Sequence, residues 1–132
     1  PTMLKDLRHV PRQPSSAEKS LLLQRDGFHC RFCGVPVIRA ETRRRIQKAY
    51  PAALYWSAGN LNQHAAFQLM WVQYDHLIPH SRGGRTSLDN MVITCGPCNF
   101  GRCEDTIEEV GLSDPRSREI TRSGWDGLER YQ

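Results

Sequence analysis

The chain has 132 residues, of which 39% are hydrophobic, and its 18 Lys and Arg against 14 Asp and Glu give a formal net charge of +4. This length predicts one domain, and no apolar run approaches the roughly 18 residues of a membrane-spanning helix. No signal-peptide pattern opens the sequence, so export through a cleaved signal has no support, and the charge is compatible with a polyanionic partner without demanding one.

The N-terminal residues predict an arm followed by a helix. Residues 1–14 contain three prolines and no hydrophobic period, and we expect an arm without chemistry of its own. Ser15 with Glu18 three residues later is a capping box, which predicts a helix that runs to about Arg25 and ends at Gly27.

Residues 38–66 predict an insertion that contains a basic helix. Good helix formers occupy residues 40–50 before Pro51 stops them. The cations of this helix are Arg43, Arg44, Arg45 and Lys48. Such a helix can lie along a phosphate backbone, with Arg44 as a contact, because each neutralised phosphate releases counterions. A solvated helix face explains the same residues equally well.

Two short strands are predicted around a basic, glycine-rich loop. Aromatic and β-branched residues favour a strand over residues 67–78, although residues 65–70 also fit a helical turn. The loop covers residues 79–87, and the second strand covers residues 91–94. Strands mixed with helices make the predicted fold class α+β.

The last third of the chain predicts one helix and a docked C-terminal segment. The helix covers residues 98–110 and Gly111 terminates it. We expect Trp125 to dock onto the domain, which we assign to residues 15–128, and we treat residues 129–132 as a C-terminal tail.

Four of the five cysteines form two Cys-x-x-Cys pairs about sixty residues apart. The pairs are Cys30 with Cys33, and Cys95 with Cys98. Each short loop directs both sulfurs at one ion, and four thiolates suit tetrahedral zinc in a closed, structural site. The wide separation implies that the ion ties distant parts of the domain together. We therefore expect the loss of zinc to unfold the chain.

Two disulfides or four free core thiols are the alternative to the zinc site. A bridge within Cys-x-x-Cys is strained, and no secretory context supports disulfides. Reduced, zinc-binding cysteines point to the cytoplasm. The fifth cysteine, Cys103, is interpreted as a small buried hydrophobic residue rather than a ligand.

A dense set of motif residues lies between Tyr74 and Arg102. It comprises Asp75-His76 at a strand end, Pro79, Ser81-Arg82-Gly83-Gly84, Leu88-Asp89-Asn90 before the second strand, and Cys95-x-x-Cys98-Asn99-x-x-Arg102 opening a helix. Together these residues resemble the HNH nucleases, also called His-Me finger or ββα-metal endonucleases. The first cysteine pair is similar to that of the subgroup with a four-cysteine zinc cage, and Trp125-Asp126-Gly127-Leu128 is similar to a motif of free-standing bacterial members.

The resemblance covers most of residues 25–128 and implies a ββα-metal core held by the zinc site, with flanking helices. It also implies a catalytic site for phosphodiester hydrolysis. His76 is interpreted as the general base, because an ordinary imidazole is largely neutral at pH 7. Asp75 and Asn99 offer oxygen ligands, which suit Mg²⁺ or Mn²⁺ better than zinc. The resemblance implies that Asn90 pins the loop after the histidine.

Several further residues are candidates for contact with the substrate. Arg82, Arg85 and Arg102 are interpreted as charge-assisted donors to phosphate, and a solvated surface is nearly as good an explanation of them. His80 contacts the scissile phosphate, protonates the leaving group, or is a neutral loop residue.

The sequence therefore predicts a DNA endonuclease that uses a histidine base and one divalent cation. The alternative is a catalytically inactive, zinc-containing module that binds nucleic acid without cutting it. A monomer and a homodimer, and a DNA and an RNA target, all stay open at this point.

Overall fold

A computed structural model describes residues 12–57, 59 and 63–131 of the chain. Its elements are helix α1 (Ser16–Asp26), helix α2 (Ala40–Ala49), helix α3 (Ala65–Leu69), strand β1 (Gln73–His76), strand β2 (Met91–Thr94) and helix α4 (Gly96–Arg102). Helices around a small antiparallel sheet confirm the predicted α+β class. No helix in the described ranges has the length and apolar character needed to cross a bilayer. Most of the predicted arm, residues 1–11, lies outside the described part.

Helix α1 begins and ends where the sequence predicts. The Ser15 side chain accepts a hydrogen bond from the Glu18 amide at 3.2 Å, and the Glu18 carboxylate accepts from the Ser15 amide at 2.9 Å. Gly27 ends the helix with φ at 72°, a conformation that glycine adopts without steric cost. The helix buries Leu22 and Leu23 in the core.

The sheet consists of β1 and β2 in antiparallel register, with Gln73 opposite Thr94 and His76 opposite Met91. Strand β2 is buried along its whole length because α1 packs against it. The predicted strand over residues 67–78 is too long. Residues 65–69 form helix α3, as the alternative interpretation had it, and β1 pairs only over the four residues for which β2 offers partners.

Helix α4 is shorter than predicted. It begins at Gly96 and ends at Arg102, where Cys103 takes a φ of 49° and the chain turns away. The Arg102 guanidinium donates to the Asp105 carbonyl at 2.9 Å, which folds the next residues back over the helix end. The prediction of a helix over residues 98–110 is therefore wrong beyond Arg102. The prediction that Cys103 is buried is also wrong, because Cys103 is exposed.

The C-terminal segment packs against the domain. The Trp125 indole N–H donates to the Val37 carbonyl at 3.0 Å, so the predicted docking of Trp125 is confirmed. Two contacts continue this packing past residue 128. The Glu129 carboxylate accepts hydrogen bonds from Arg39 and from the Thr42 hydroxyl, both at 2.6 Å. Glu129 thus lies against α2 rather than in a free tail.

Candidate active site and zinc cage

The four paired cysteines come together as the sequence predicts. The sulfurs of Cys30, Cys33, Cys95 and Cys98 all lie within 4.8 Å of one another, and the Cys33 and Cys95 sulfurs are 3.7 Å apart. Tetrahedral zinc, with Zn–S bonds of about 2.3 Å, holds its sulfurs about 3.8 Å apart. All five cysteines lie in the described residues and none of them forms a disulfide. The cluster therefore fits a zinc ion.

One short loop and the junction of β2 with α4 position the cage. The loop is closed by the Gly34 amide, which donates to the Cys30 carbonyl at 2.9 Å. The Arg31 amide donates to the Ile93 carbonyl at 2.9 Å, which joins this loop to β2. Cys95 follows β2 directly and Cys98 lies in the first turn of α4. The cage therefore connects the segment after α1 with the start of α4.

A buried carboxylate supports the cage from the side of α1. Asp26 is fully buried and accepts hydrogen bonds from Arg31 at 2.5 Å, from Arg25 at 2.7 Å and from the Ile93 amide at 3.0 Å. These bonds link the end of α1, the first cysteine loop and β2. A buried charge is tolerated only with such partners.

The thiols of the cage cannot all be charged without a cation. A hydrogen bond from Cys95 lowers the pKa of Cys30 to about 4, and that interaction raises the pKa of Cys95. Burial, together with the charge of Cys30, raises the pKa of Cys98 to about 12. Binding a divalent cation as four thiolates must therefore release protons.

Asp75 lies on the face of β1 that helix α4 covers. Its side chain is only 6% exposed, and Oδ1 accepts a hydrogen bond from the Arg102 guanidinium at 2.6 Å. Oδ2 is buried and has no hydrogen-bond partner among the described residues. Burial raises the pKa of the Asp75 carboxyl, and the guanidinium opposes that shift. A cation at Oδ2 would favour the ionised form, which is what a metal ligand requires.

Asn99 lies on the same side of the sheet, one turn before Arg102. Its side-chain amide donates to Oε1 of Gln73 at 3.1 Å. Gln73 and Asp75 are two residues apart on β1 and therefore share a face. The structure thus brings Asp75 and Asn99 to one side of the sheet, where the Asn99 carbonyl oxygen and Asp75 Oδ2 are oxygen donors of the kind a hard cation prefers.

Arg102 is part of the framework. It is 2% exposed, and besides Asp75 its guanidinium donates to the backbone carbonyls of His76 and of Leu77, the latter at 3.1 Å. These bonds hold the end of β1 against α4. The prediction that Arg102 contacts phosphate is therefore not supported. The three-residue spacing between Asn99 and Arg102 was the sequence signal for this framework role, because it places both side chains on one face of the helix.

His76 is the last residue of β1, and its side chain contacts the loop that follows. Its Nε2 lies 3.0 Å from the Thr86 hydroxyl, and its ring centroid is 5.7 Å from that of His80. Adjacent strand residues point to opposite faces, which separates His76 from the Asp75 contact with α4. The contact with Thr86 was missed from the sequence, because an ordinary loop threonine carries no signal.

Asn90 ties the loop after His76 to the start of β2. Its Oδ1 accepts from the Ile78 amide at 2.9 Å, and its Nδ2 donates to the carbonyls of Ile78 at 3.1 Å and Arg85 at 2.9 Å. Gly84 packs so closely here that a Cβ would lie 1.7 Å from the Ile78 carbonyl oxygen. Only glycine fits at that position.

Residues 64–102 match a family model described as HNH endonuclease. The match runs from the residue before α3 to the end of α4, and it includes β1, the loop and β2. The chain contains an HNH domain. No curated protein and no solved structure matches the chain.

The HNH domain and the cysteine cage together confirm the predicted ββα-metal architecture. β1, β2 and α4 supply the two strands and the helix, and the four-cysteine cluster fits the zinc-cage subgroup. Cys30 and Cys33 lie outside the matched segment, so the cage joins the HNH domain to the residues before it. An HNH domain implies a nuclease-type or nucleic-acid-binding function.

The remaining basic residues predicted to contact phosphate occupy different environments around the HNH domain. Arg82 forms an ion pair with Glu109, Arg85 is exposed, and Arg44 is exposed on α2. Arg43 on the same helix is buried, with its guanidinium 3.9 Å from the centroid of the Trp56 ring. The basic helix is therefore divided between a packed side and a solvated side.

Proposed function

We propose that this chain is a metal-dependent DNA endonuclease that hydrolyses phosphodiester bonds. The observation that carries the proposal is the buried Oδ2 of Asp75, which has no hydrogen-bond partner among the described residues and lies on the same side of the sheet as Asn99. Leaving a carboxylate oxygen buried and unpaired is costly, and coordination of a cation would remove that cost.

Asp75 and Asn99 would hold Mg²⁺ or Mn²⁺ through these oxygens. When bound, such an ion supplies Lewis-acid polarisation of the phosphate and stabilises the leaving oxygen. The protein keeps Asp75 in place through Arg102, which occupies the other carboxylate oxygen. The guanidinium therefore orients the carboxylate for Oδ2 to act as the ligand.

His76 is the proposed general base. Its backbone is held by the pairing with Met91 and by the bond from Arg102 to its carbonyl, and its ring is held by Thr86. A neutral imidazole takes a proton from the attacking water, which such a positioned group accelerates by about 10²- to 10⁴-fold. Asn90 is the proposed positioning residue for the loop that carries Thr86.

DNA is the proposed substrate, in keeping with the net charge of +4. Exposed Arg44 and Arg85 are proposed phosphate contacts, and Arg82 is a further one if it exchanges Glu109 for a phosphate. His80, whose ring lies beside that of His76, is proposed to face the scissile phosphate.

The proposal is tested by incubating the purified protein with supercoiled plasmid in Mg²⁺, Mn²⁺ or EDTA. We expect nicking that EDTA abolishes. In His76→Ala we expect the nicking rate to fall by about 10²-fold or more, while zinc content and melting temperature stay unchanged. The matched control is His64→Ala, which removes an imidazole packed between Tyr55 and Phe67. Full activity in His76→Ala would reject the assigned base.

The second candidate is a zinc-containing module that binds nucleic acid without cutting it. The ion pair between Asp75 and Arg102 favours this candidate, because it gives the carboxylate a structural use that needs no catalytic cation. This module would bind DNA in Mg²⁺ and Mn²⁺ alike and leave it intact. Its binding would be indifferent to His76→Ala.

A further inference from the structure

We propose that Thr86 is a positioning residue that holds His76 in the tautomer protonated on Nε2. This inference rests on the proposed function for its catalytic consequence, because it explains how the base is kept ready. The Thr86 hydroxyl lies 3.0 Å from His76 Nε2 and donates to the Arg12 carbonyl at 3.0 Å.

The direction of these bonds follows from the inventory of hydrogens. A backbone carbonyl only accepts hydrogen bonds, so the Thr86 hydroxyl donates its single hydrogen to the Arg12 carbonyl. The hydroxyl oxygen then has only lone pairs left, and these can only accept a hydrogen bond. In the neutral ring His76 Nε2 must therefore be the N–H donor of the other bond, and the lone pair of the imidazole resides on Nδ1.

The hydroxyl itself is fixed by its surroundings. Thr86 is 5% exposed, and the carbonyl of the preceding residue, Arg85, is bonded to the side chain of Asn90. Threonine is branched at Cβ, so its side chain has little rotational freedom once the backbone is set. The chain from Arg12 through Thr86 to His76 therefore holds the ring from one side.

The consequence for catalysis is a prepared base. If both tautomers were equally populated, a fraction of the protein molecules would carry a proton on Nδ1, the nitrogen that has to accept the proton of the water. A second partner on the far ring nitrogen removes that fraction and fixes the ring angle, as it does for histidines that bind metals. Thr86 itself does not touch the substrate.

Steady-state cleavage of a short duplex separates positioning from packing. We expect Thr86→Val to lower kcat by about 10- to 100-fold with KM changed less than about twofold, as for partners that orient histidines through the second nitrogen. Thr86→Ser keeps the hydroxyl and should stay within about threefold of the wild type. The matched control is Thr94→Val, which removes a buried hydroxyl that has no hydrogen-bond partner among the described residues.

Nitrogen-15 NMR of the His76 ring tests the inference without any turnover. In the wild type at a pH where the ring is neutral we expect an Nε2–H signature, and in Thr86→Val a mixture of tautomers. Mixed tautomers in the wild type, or an unchanged signature with unchanged kcat in Thr86→Val, would overturn the role of Thr86. If the wild type cuts no DNA, the proposed endonuclease function is rejected. The NMR signature alone then decides whether Thr86 fixes the His76 tautomer.

Discussion

The cysteine cage and the polar cluster of Asp75, His76, Asn90 and Asn99 share helix α4 but are built in different ways. The cage takes four identical ligands from two Cys-x-x-Cys segments, and each segment alone sets the distance between its two sulfurs. The polar cluster takes unlike groups from a strand, a loop and a helix, and each is oriented by a partner such as Arg102 or Thr86. Because α4 starts inside the cage, loss of the cage should abolish the cluster, whereas damage to the cluster should leave the cage intact.

Loss of the cage is expected to have the largest effect. Cys95→Ser should remove zinc and unfold the chain, because structural zinc sites contribute on the order of 10 kcal/mol to folding. The cluster would be lost with it. Zinc content and a thermal melt followed by circular dichroism measure both effects.

Cys103→Ser is the control for the loss of the cage. Cys103 is exposed and outside the four-sulfur cluster, so this variant should keep its zinc and its melting temperature. A Cys95→Ser protein that lacks zinc but melts like the wild type would show that the cage is dispensable.

Removal of the Asp26 carboxylate is expected to come next. Asp26→Ala leaves the Arg31 side chain, 7% exposed, without its buried counter-ion, which should cost about 3–5 kcal/mol of stability. Urea unfolding measures this free energy. Asp89→Ala is the control, since that carboxylate is exposed, and we expect almost no change in the free energy of unfolding. Equal losses in the two variants would contradict the bracing role of Asp26.

Gly84→Ala should damage the cluster alone. The added Cβ would collide with the Ile78 carbonyl, so the loop must shift at a cost of about 1–3 kcal/mol. We expect nicking to fall about 10-fold or more while zinc content is kept. In the control, Gly101→Ala, the new Cβ meets open space in α4, and stability should rise by up to about 1 kcal/mol. Zinc loss in Gly84→Ala would mean that the cage depends on the loop.

The smallest effect is expected far from both sites, at Glu129. Burial raises the pKa of this carboxyl, but the hydrogen bonds from Arg39 and Thr42 outweigh it, so the pKa falls below 4.5. A lowered acid pKa stabilises the fold above pH 4.5, and the stabilisation disappears as the pH falls through the lowered value. Glu129→Gln should therefore lose roughly 1 kcal/mol or less at neutral pH.

The loss in Glu129→Gln should shrink toward zero as the pH falls below 4.5 through the lowered pKa, because the wild-type carboxyl then becomes protonated as well. Urea unfolding at neutral pH and at acid pH tests this, with Glu108→Gln as an exposed control. A loss of stability that is the same at both pH values would show that the charge of Glu129 is irrelevant.

Features that depend on residues close together in the sequence were predictable. The capping box at Ser15, the glycine stop at Gly27 and the second strand all depend on neighbouring residues, and the structure confirms each of them. The end of α4 was not predictable in this way. Residues 103–110 suit a helix locally, but the bond from Arg102 to the Asp105 carbonyl and the turn at Cys103 prevail.

The sequence by itself determined which chemical groups are present: four thiols in two pairs, an Asp-His pair, and two asparagines at family spacing. Only the tertiary structure decided how each polar group is used, turning Arg102 inward to Asp75, pairing Arg82 with Glu109 and placing Thr86 on His76. The physical reason is how far apart the interacting groups lie in the sequence. Spacing within a short segment fixes the distance between groups a few residues apart, whereas the partner of a buried charge or ring nitrogen comes from whichever distant segment packs beside it.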